Sequence, residues 1–238
     1  MESGQGLEGD EVERIRRAYA RREQESKPNL YSVFRAENFL AVQQRERAML
    51  RYLQHSQMVP LEDKRVLDIG CGLGGLLRRF IDYGALPQNL YGVDLLPHRI
   101  EQAQHIQPNV NFESGNAEHL SYPDAFFDIV VQFTVFTSIL QPAMKENIAR
   151  EMMRVLNPQG IIIWCDYSFN NPRNQDVRGV GRREIQRLFP GCRTSLTRVT
   201  LAPPLARVVA SRFPSVAYLL QGLPFLCTHL LGVIRKGR

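Results

Sequence analysis

Residues Val66-Leu67-Asp68-Ile69-Gly70-Cys71-Gly72-Leu73-Gly74-Gly75 run from an apolar strand through a glycine turn into a helix. No other stretch limits the fold as tightly. Glycine lets a backbone turn this sharply and approach a ligand closely. The helix that follows offers unpaired N–H groups and the positive end of its dipole. A strand, a glycine turn and a helix in this order predict an α/β domain whose turn holds a nucleoside-containing ligand.

Two readings of the turn compete. Gly70, Gly72 and Gly75 match G-x-G-x-x-G, which suits a dinucleotide with its pyrophosphate at the helix N-terminus. Asp68 argues against it, because a carboxylate at the strand end repels a pyrophosphate. It suits a ligand carrying a cationic amine and a sulfonium. The pattern Asp68-x-Gly70-x-Gly72-x-Gly74 resembles the first motif of class I S-adenosylmethionine-dependent methyltransferases. Three further segments follow in that family's order. Tyr91-Gly92-Val93-Asp94 reads as a second strand ending in an acid, 26 residues after Asp68 (94 − 68). Asn111 to Glu118 resembles the segment around the third strand, and Phe127 to Gln132 the fourth strand.

The resemblance implies S-adenosyl-L-methionine as cofactor and no metal. It implies that Asp68, Gly70, Gly72 and Gly74 hold the methionine part, Asp94 the ribose and Asn116 the adenine. Gln132 would lie near the methionine carboxylate, and Cys71, Leu95 and Ala117 complete the expected cofactor set. Taken singly, Asp94 also reads as a helix cap and Asn116 as a turn residue. For catalysis, the end of the fifth strand offers Asp166 and Tyr167, and the start of the last strand offers His229. A partly buried structural histidine is the other reading of His229.

The fold class expected is a Rossmann-like, seven-stranded, mostly parallel α/β sheet with helices on both faces and an antiparallel last strand. Strands are expected at 65–69, 90–94, 110–114, 127–132, 160–166, 193–200 and 226–235, with helices at 75–84, 97–106 and 142–155. Residues 1–30 read as a polar helical arm, ended by Pro28 and Asn29, and residues 31–238 as the methyltransferase domain. A cap-like apolar insertion lies at about 201–225. Its Leu201, Pro204, Val208, Phe213, Tyr218 and Leu219 line an acceptor pocket or pack cap to core. Tyr31, Phe34 and Phe39 form part of a lid or staple a helix to the core. In the loop 170–178, Asn171, Asn174 and Arg178 bind a polar acceptor group or build turns.

Four cysteines without paired spacing give neither a disulfide framework nor a zinc site. The polar start gives no secretory signal, so a cytoplasmic location is expected. Net charge is +6 and pI about 9.3. That balance admits nucleic acid, an anionic substrate or a membrane surface. Arg14, Arg16, Arg17, Arg21 and Arg22 read as a solvated helix face. The segment after the fourth strand, Gln132-Phe133-Thr134-Val135, lacks both the Pro-Pro-aromatic motif of base-amine methyltransferases and the Pro-Cys of cytosine C5 enzymes. From Phe213 to Ile234 no charge appears, but prolines and polar residues interrupt the run. It predicts no transmembrane span and leaves peripheral membrane contact open. The function expected is methyl transfer to a small-molecule acceptor: a natural product, sugar or lipid-like metabolite. An RNA methyltransferase or a non-catalytic cofactor-binding protein are the alternatives, and the oligomeric state is open.

Overall fold

The computed structural model describes residues 3–25, 29–171 and 174–237. Pro28, expected to end the first helix, and Pro172 and Arg173 of the 170–178 loop lie outside them. The strands are β1 Val66–Ile69, β2 Leu90–Asp94, β3 Asn111–Ser114, β4 Phe127–Phe133, β5 Leu156–Tyr167, β6 Arg193–Leu201 and β7 Cys227–Arg235. The helices are α1 Ser3–Glu25, α2 Ala36–His55, α3 Gly75–Asp82, α4 Pro97–Ile106, α5 Pro142–Val155, α6 Arg182–Leu188, α7 Pro203–Val209 and α8 Pro214–Leu220.

The sheet order is β3-β2-β1-β4-β5-β7-β6. β1 to β5 pair in parallel, and β7 runs antiparallel to both β5 and β6. Strands β1 and β4 are apolar and almost wholly buried because helices cover both faces of the sheet. On one face Leu67, Val130, Ile162 and Trp164 pack under α1, α5 and α6. On the other, Val66, Ile129, Val131 and Ile163 pack with Met49 and Leu53 of α2 and Leu77 and Phe80 of α3. Period-two alternation along each central strand therefore feeds two separate cores.

Boundaries moved in two places that matter. α1, expected as a polar arm, instead lies on the sheet along one side: Glu11, Ile15 and Ala18 are buried. The insertion before β7 consists of two seven-residue helices and a 3₁₀ turn at Pro224–Leu226. Its inner side (Ala206, Ala210, Ala217) packs against Leu40 of α2 and Leu201 of β6. Proline at the first turn of α4, α5, α7 and α8 sets each helix start, where its missing N–H costs nothing.

Candidate cofactor site

The turn after β1 takes the left-handed conformation at every second residue. Gly70, Gly72 and Gly74 have φ of 68°, 55° and 69°. Side-chain-bearing residues adopt this region at a cost of about 1–2 kcal/mol each. Gly75 is an ordinary first helical residue after Gly74, the left-handed N-cap of α3. The glycines that the backbone requires are thus those of the D-x-G-x-G-x-G reading, not those of G-x-G-x-x-G.

The coil is pinned to the end of β2. The N–H groups of Gly70 and Cys71 both donate to Val93 O, at 2.7 and 3.1 Å. Gly72 N donates to Asp94 Oδ2 at 2.8 Å, and Leu96 N donates to Asp94 Oδ1 at 3.0 Å. Asp94 therefore ties the glycine coil to the start of α4. It does not cap that helix: Leu96 is the N-cap. A Cβ at Gly70 would strike Val135 Cγ2 at 2.5 Å, whereas one at Gly72 would meet no protein atom within 4 Å. The space in front of Gly72 is open to a ligand.

Beyond the coil lies a cavity of about 250 Å³. Gly70, Asp94, Leu95, Asn116 and Ala117 line it from the ends of β1, β2 and β3, and Phe133, Thr134 and Val135 from the end of β4. It opens at the carboxyl ends of the parallel strands, where ligands of doubly wound sheets bind. Asn116 holds its own turn as well: its Oδ1 accepts from Glu118 N at 3.1 Å and its Nδ2 donates to Glu118 Oε2 at 2.9 Å.

Asp68 is buried behind the coil and does not line the cavity. Burial, and then the Asp94 charge, pushes its carboxyl well above the usual range. The same two carboxylates and burial push the Cys71 thiol up, so Cys71 is a packed, inert thiol. Gln132 is fully buried on the face of Val130; its Oε1 accepts from Val135 N at 3.2 Å and its Nε2 has no partner. The Asp94 carboxylate at the cavity edge, an orphaned amide N–H and the glycine surface suit a ligand with a ribose and a carboxylate. They do not suit a pyrophosphate. In this respect the site fits S-adenosylmethionine.

The expected catalytic trio divides between the two faces of the sheet. Asp166 is fully buried and accepts from Tyr167 N at 2.9 Å and Thr137 N at 3.2 Å. Burial pushes its pKa up to about 7, against those donors and the Lys145 charge. It braces the 136–138 turn and stands away from the cavity lining. Tyr167 and His229 are register partners across β5 and β7, with ring centroids 5.2 Å apart. Burial, then the Arg45 charge, lowers the His229 pKa to about 4. Its Nδ1 lies 3.1 Å from Thr228 Oγ1.

The roof of the cavity comes from residues with no local functional signal in the sequence. Ile15 and Tyr19 of α1 line it, with Ser138, Ile139 and Met144. Tyr19 Oη lies 3.1 Å from Ser138 Oγ, and its ring packs beneath the Arg99 guanidinium. Val12, Ile15 and Tyr19 are spaced i, i+3, i+7, a helix-face signal hidden among arginines. Of those, Arg16, Arg17 and Arg21 are exposed, but Arg14 pairs with buried Glu11 and donates to Ser138 O. In the 170–178 loop, Asn174 Oδ1 accepts from Asp176 N, Asp176 pairs with Arg21, and Arg178 N donates to Thr137 O. Those groups build the loop and fasten it to α1 and the 136–138 turn.

Strand order and glycine coil define a Rossmann-like fold with a cavity at the carboxyl ends of its parallel strands. The methyltransferase-domain family matches residues 66–160. The 2-methyl-6-phytyl-1,4-hydroquinone methyltransferase of Synechocystis is 34% identical over 112 residues, 45% of this chain and 33% of that protein. The phthiotriol/phenolphthiotriol dimycocerosates methyltransferase of Mycobacterium leprae is 31% identical over 144 residues, 56% of this chain and 52% of that protein. The chain thus spans between a third and about half of the length of these curated relatives. The crystal structure of an S-adenosylmethionine-dependent methyltransferase from Mesorhizobium loti has the same fold: TM-score 0.59, 16% identity, 79% of this chain and 98% of that one covered. Residues 66–160, from β1 into β5, are thus similar to a methyltransferase domain.

Proposed function

We propose that the protein transfers the methyl group of S-adenosylmethionine to a small, largely apolar acceptor. The observation that carries this reading is the left-handed glycine coil, latched to Asp94 through Gly72 N and lining the cavity at Gly70. The curated relatives are named as methyltransferases of a phytyl hydroquinone and of phthiotriol lipids, which supports an apolar acceptor. When bound, the cofactor supplies an activated methyl carbon for in-line displacement.

The chain's own part is to hold, orient and dry the reacting pair. Asp94 accepts the ribose hydroxyls as its hold on Gly72 N is shared, and Asn116 meets the adenine edge. Ile15, Tyr19 and Met144 exclude water from above. For a hydroxyl acceptor we assign the base to His229 at the opening of β7; burial lowers its pKa to about 4, so the ring is neutral at pH 7 but a weak base, with a small share of the rate. Tyr167 orients that ring, while Asp166 positions the cavity-lining 136–138 turn.

Incubation with methyl-labelled S-adenosylmethionine and a panel of hydroquinone, phenol and long-chain alcohol acceptors tests the reading. Label should appear in an organic-soluble product and S-adenosylhomocysteine should form in equal amount. His229→Asn should lower turnover of hydroxyl acceptors by no more than about 10²-fold, the low end of general-base catalysis, as fits a weakly basic ring, with cofactor affinity unchanged. Label transfer to RNA instead, or none to any acceptor despite cofactor binding, would contradict it.

A further inference from the structure

The cap carries large apolar side chains on its outside as well as its inside. Phe34 is 98% exposed, Phe225 74% and Leu219 73%. Tyr31, Val208 and Phe213 are exposed beside them on the same elements. These residues come from the approach to α2 and from the α7–α8 insertion, two segments joined by one apolar cluster. Buried polar bonds make the platform rigid: Gln44 Oε1 accepts from Thr200 N at 2.7 Å, Gln44 Nε2 donates to Gln221 O at 3.1 Å, and Gln221 Nε2 donates to Leu40 O at 3.0 Å. The expectation that Val208, Phe213, Tyr218 and Leu219 line a pocket is corrected here: all four are exposed.

Charge around this face is predominantly positive. From Ile185 to Arg238, 54 residues (238 − 184) contain no Asp or Glu but eight Lys or Arg. Arg207 and Arg212 stand exposed among the apolar side chains of α7 and its exit, with no ion-pair partner among the described residues. Arg35 next to Phe34 is paired with Glu37. No helix among the described residues is long and apolar enough to cross a membrane. Aromatic and aliphatic side chains ringed by unpaired arginines on short helices are the chemistry of shallow insertion into an anionic lipid interface.

Position agrees with that occupant. β6 ends at Leu201 and β7 begins at Cys227, paired with each other, and His229 two residues on faces Tyr167 at the end of β5. The cap therefore rises from the end of the sheet that carries the glycine coil. We propose that the outer face of the cap is a membrane-docking surface, which seats the open end of the sheet on anionic lipid. Only the further step, that the acceptor enters from that lipid, rests on the methyl-transfer reading.

The test is co-sedimentation of the full chain with vesicles of phosphatidylglycerol and phosphatidylcholine, against phosphatidylcholine alone. Binding should favour the anionic vesicles and weaken as salt rises. The triple variant Phe34→Ser, Leu219→Ser, Phe225→Ser should lose most of the binding; Arg207→Glu with Arg212→Glu should weaken it at least about thirtyfold. Calorimetry with S-adenosylmethionine should give unchanged affinity for both, which confirms folding and separates this proposal from the methyl-transfer reading. Absence of vesicle binding by the unaltered chain would overturn the proposal. So would a triple variant that sediments like the unaltered chain, or one whose only change is in oligomeric state, which would mark the face as a contact between copies.

Discussion

Gly72 separates the needs of the fold from those of the ligand. Its φ of 55° makes any side chain cost about 1–2 kcal/mol, yet an added methyl touches no protein atom. Gly72→Ala should therefore fold with a modest fall in stability and bind S-adenosylmethionine at least tenfold more weakly, by titration calorimetry. Gly70→Ala lacks that separation because its Cβ collides with Val135. Asp166 is diagnostic in another way. Its folded pKa of about 7 lies above the unfolded value near 3.9. Its contribution is fully present below the unfolded pKa and is lost as pH rises through about 7. His229 runs the opposite way: its folded pKa of about 4 lies below 6.5, so its contribution is complete above pH 6.5 and falls as pH drops toward 4. Asp166→Asn should accordingly gain stability relative to the unaltered chain between pH 5 and pH 8, measured by urea denaturation. An identical pH dependence would remove the buried, proton-holding carboxyl from the account.

Among the elements, α1 does more than decorate the domain. The Glu11 carboxylate accepts from Leu140 N at 2.6 Å and Gln141 N at 3.2 Å, so α1 supplies the anion that caps the N-terminus of α5. Burial works to raise the Glu11 pKa, but Arg14 and these two N–H groups lower it overall. The cap therefore acts above the ordinary glutamate pKa and fails as pH falls through the lowered one. Glu11→Ala should cost about 1.5–3 kcal/mol, the range for hydrogen bonds to a charged group. Backbone amides of α1 should exchange faster, and cofactor affinity should fall because Ile15 and Tyr19 roof the cavity. Unchanged exchange in α1 would show that its apolar face alone holds it.

Across the whole molecule, the parallel sheet and its cofactor turn were legible because they are local: alternating apolar runs, glycines at fixed offsets and an acid at the end of β2. The antiparallel β7 followed from the family resemblance, and the expected strand limits fell within a few residues of those observed except in β5, which starts four residues earlier, at Leu156. What stayed hidden is tertiary. An arginine-rich helix gives no local sign that Ile15 and Tyr19 will cover a cavity. Nor do exposed and buried apolar residues differ by type, so Leu219 and Leu201 read alike although one faces solvent and the other the core. Asp166 and His229, both at strand ends, separate only when pleat and register assign them to opposite faces. The account rests on a glycine coil, left-handed at Gly70, Gly72 and Gly74, that with Asp94 on the ribose holds S-adenosylmethionine rather than a dinucleotide. Titration calorimetry of the full chain with S-adenosylmethionine, S-adenosylhomocysteine and NADH, repeated for Asp94→Ala, tests it most directly. Both S-adenosyl ligands should bind, NADH should not, and Asp94→Ala should weaken binding tenfold or more as the ribose hydroxyls lose a charged acceptor. Binding of NADH, or S-adenosylmethionine affinity indifferent to Asp94→Ala, would contradict it.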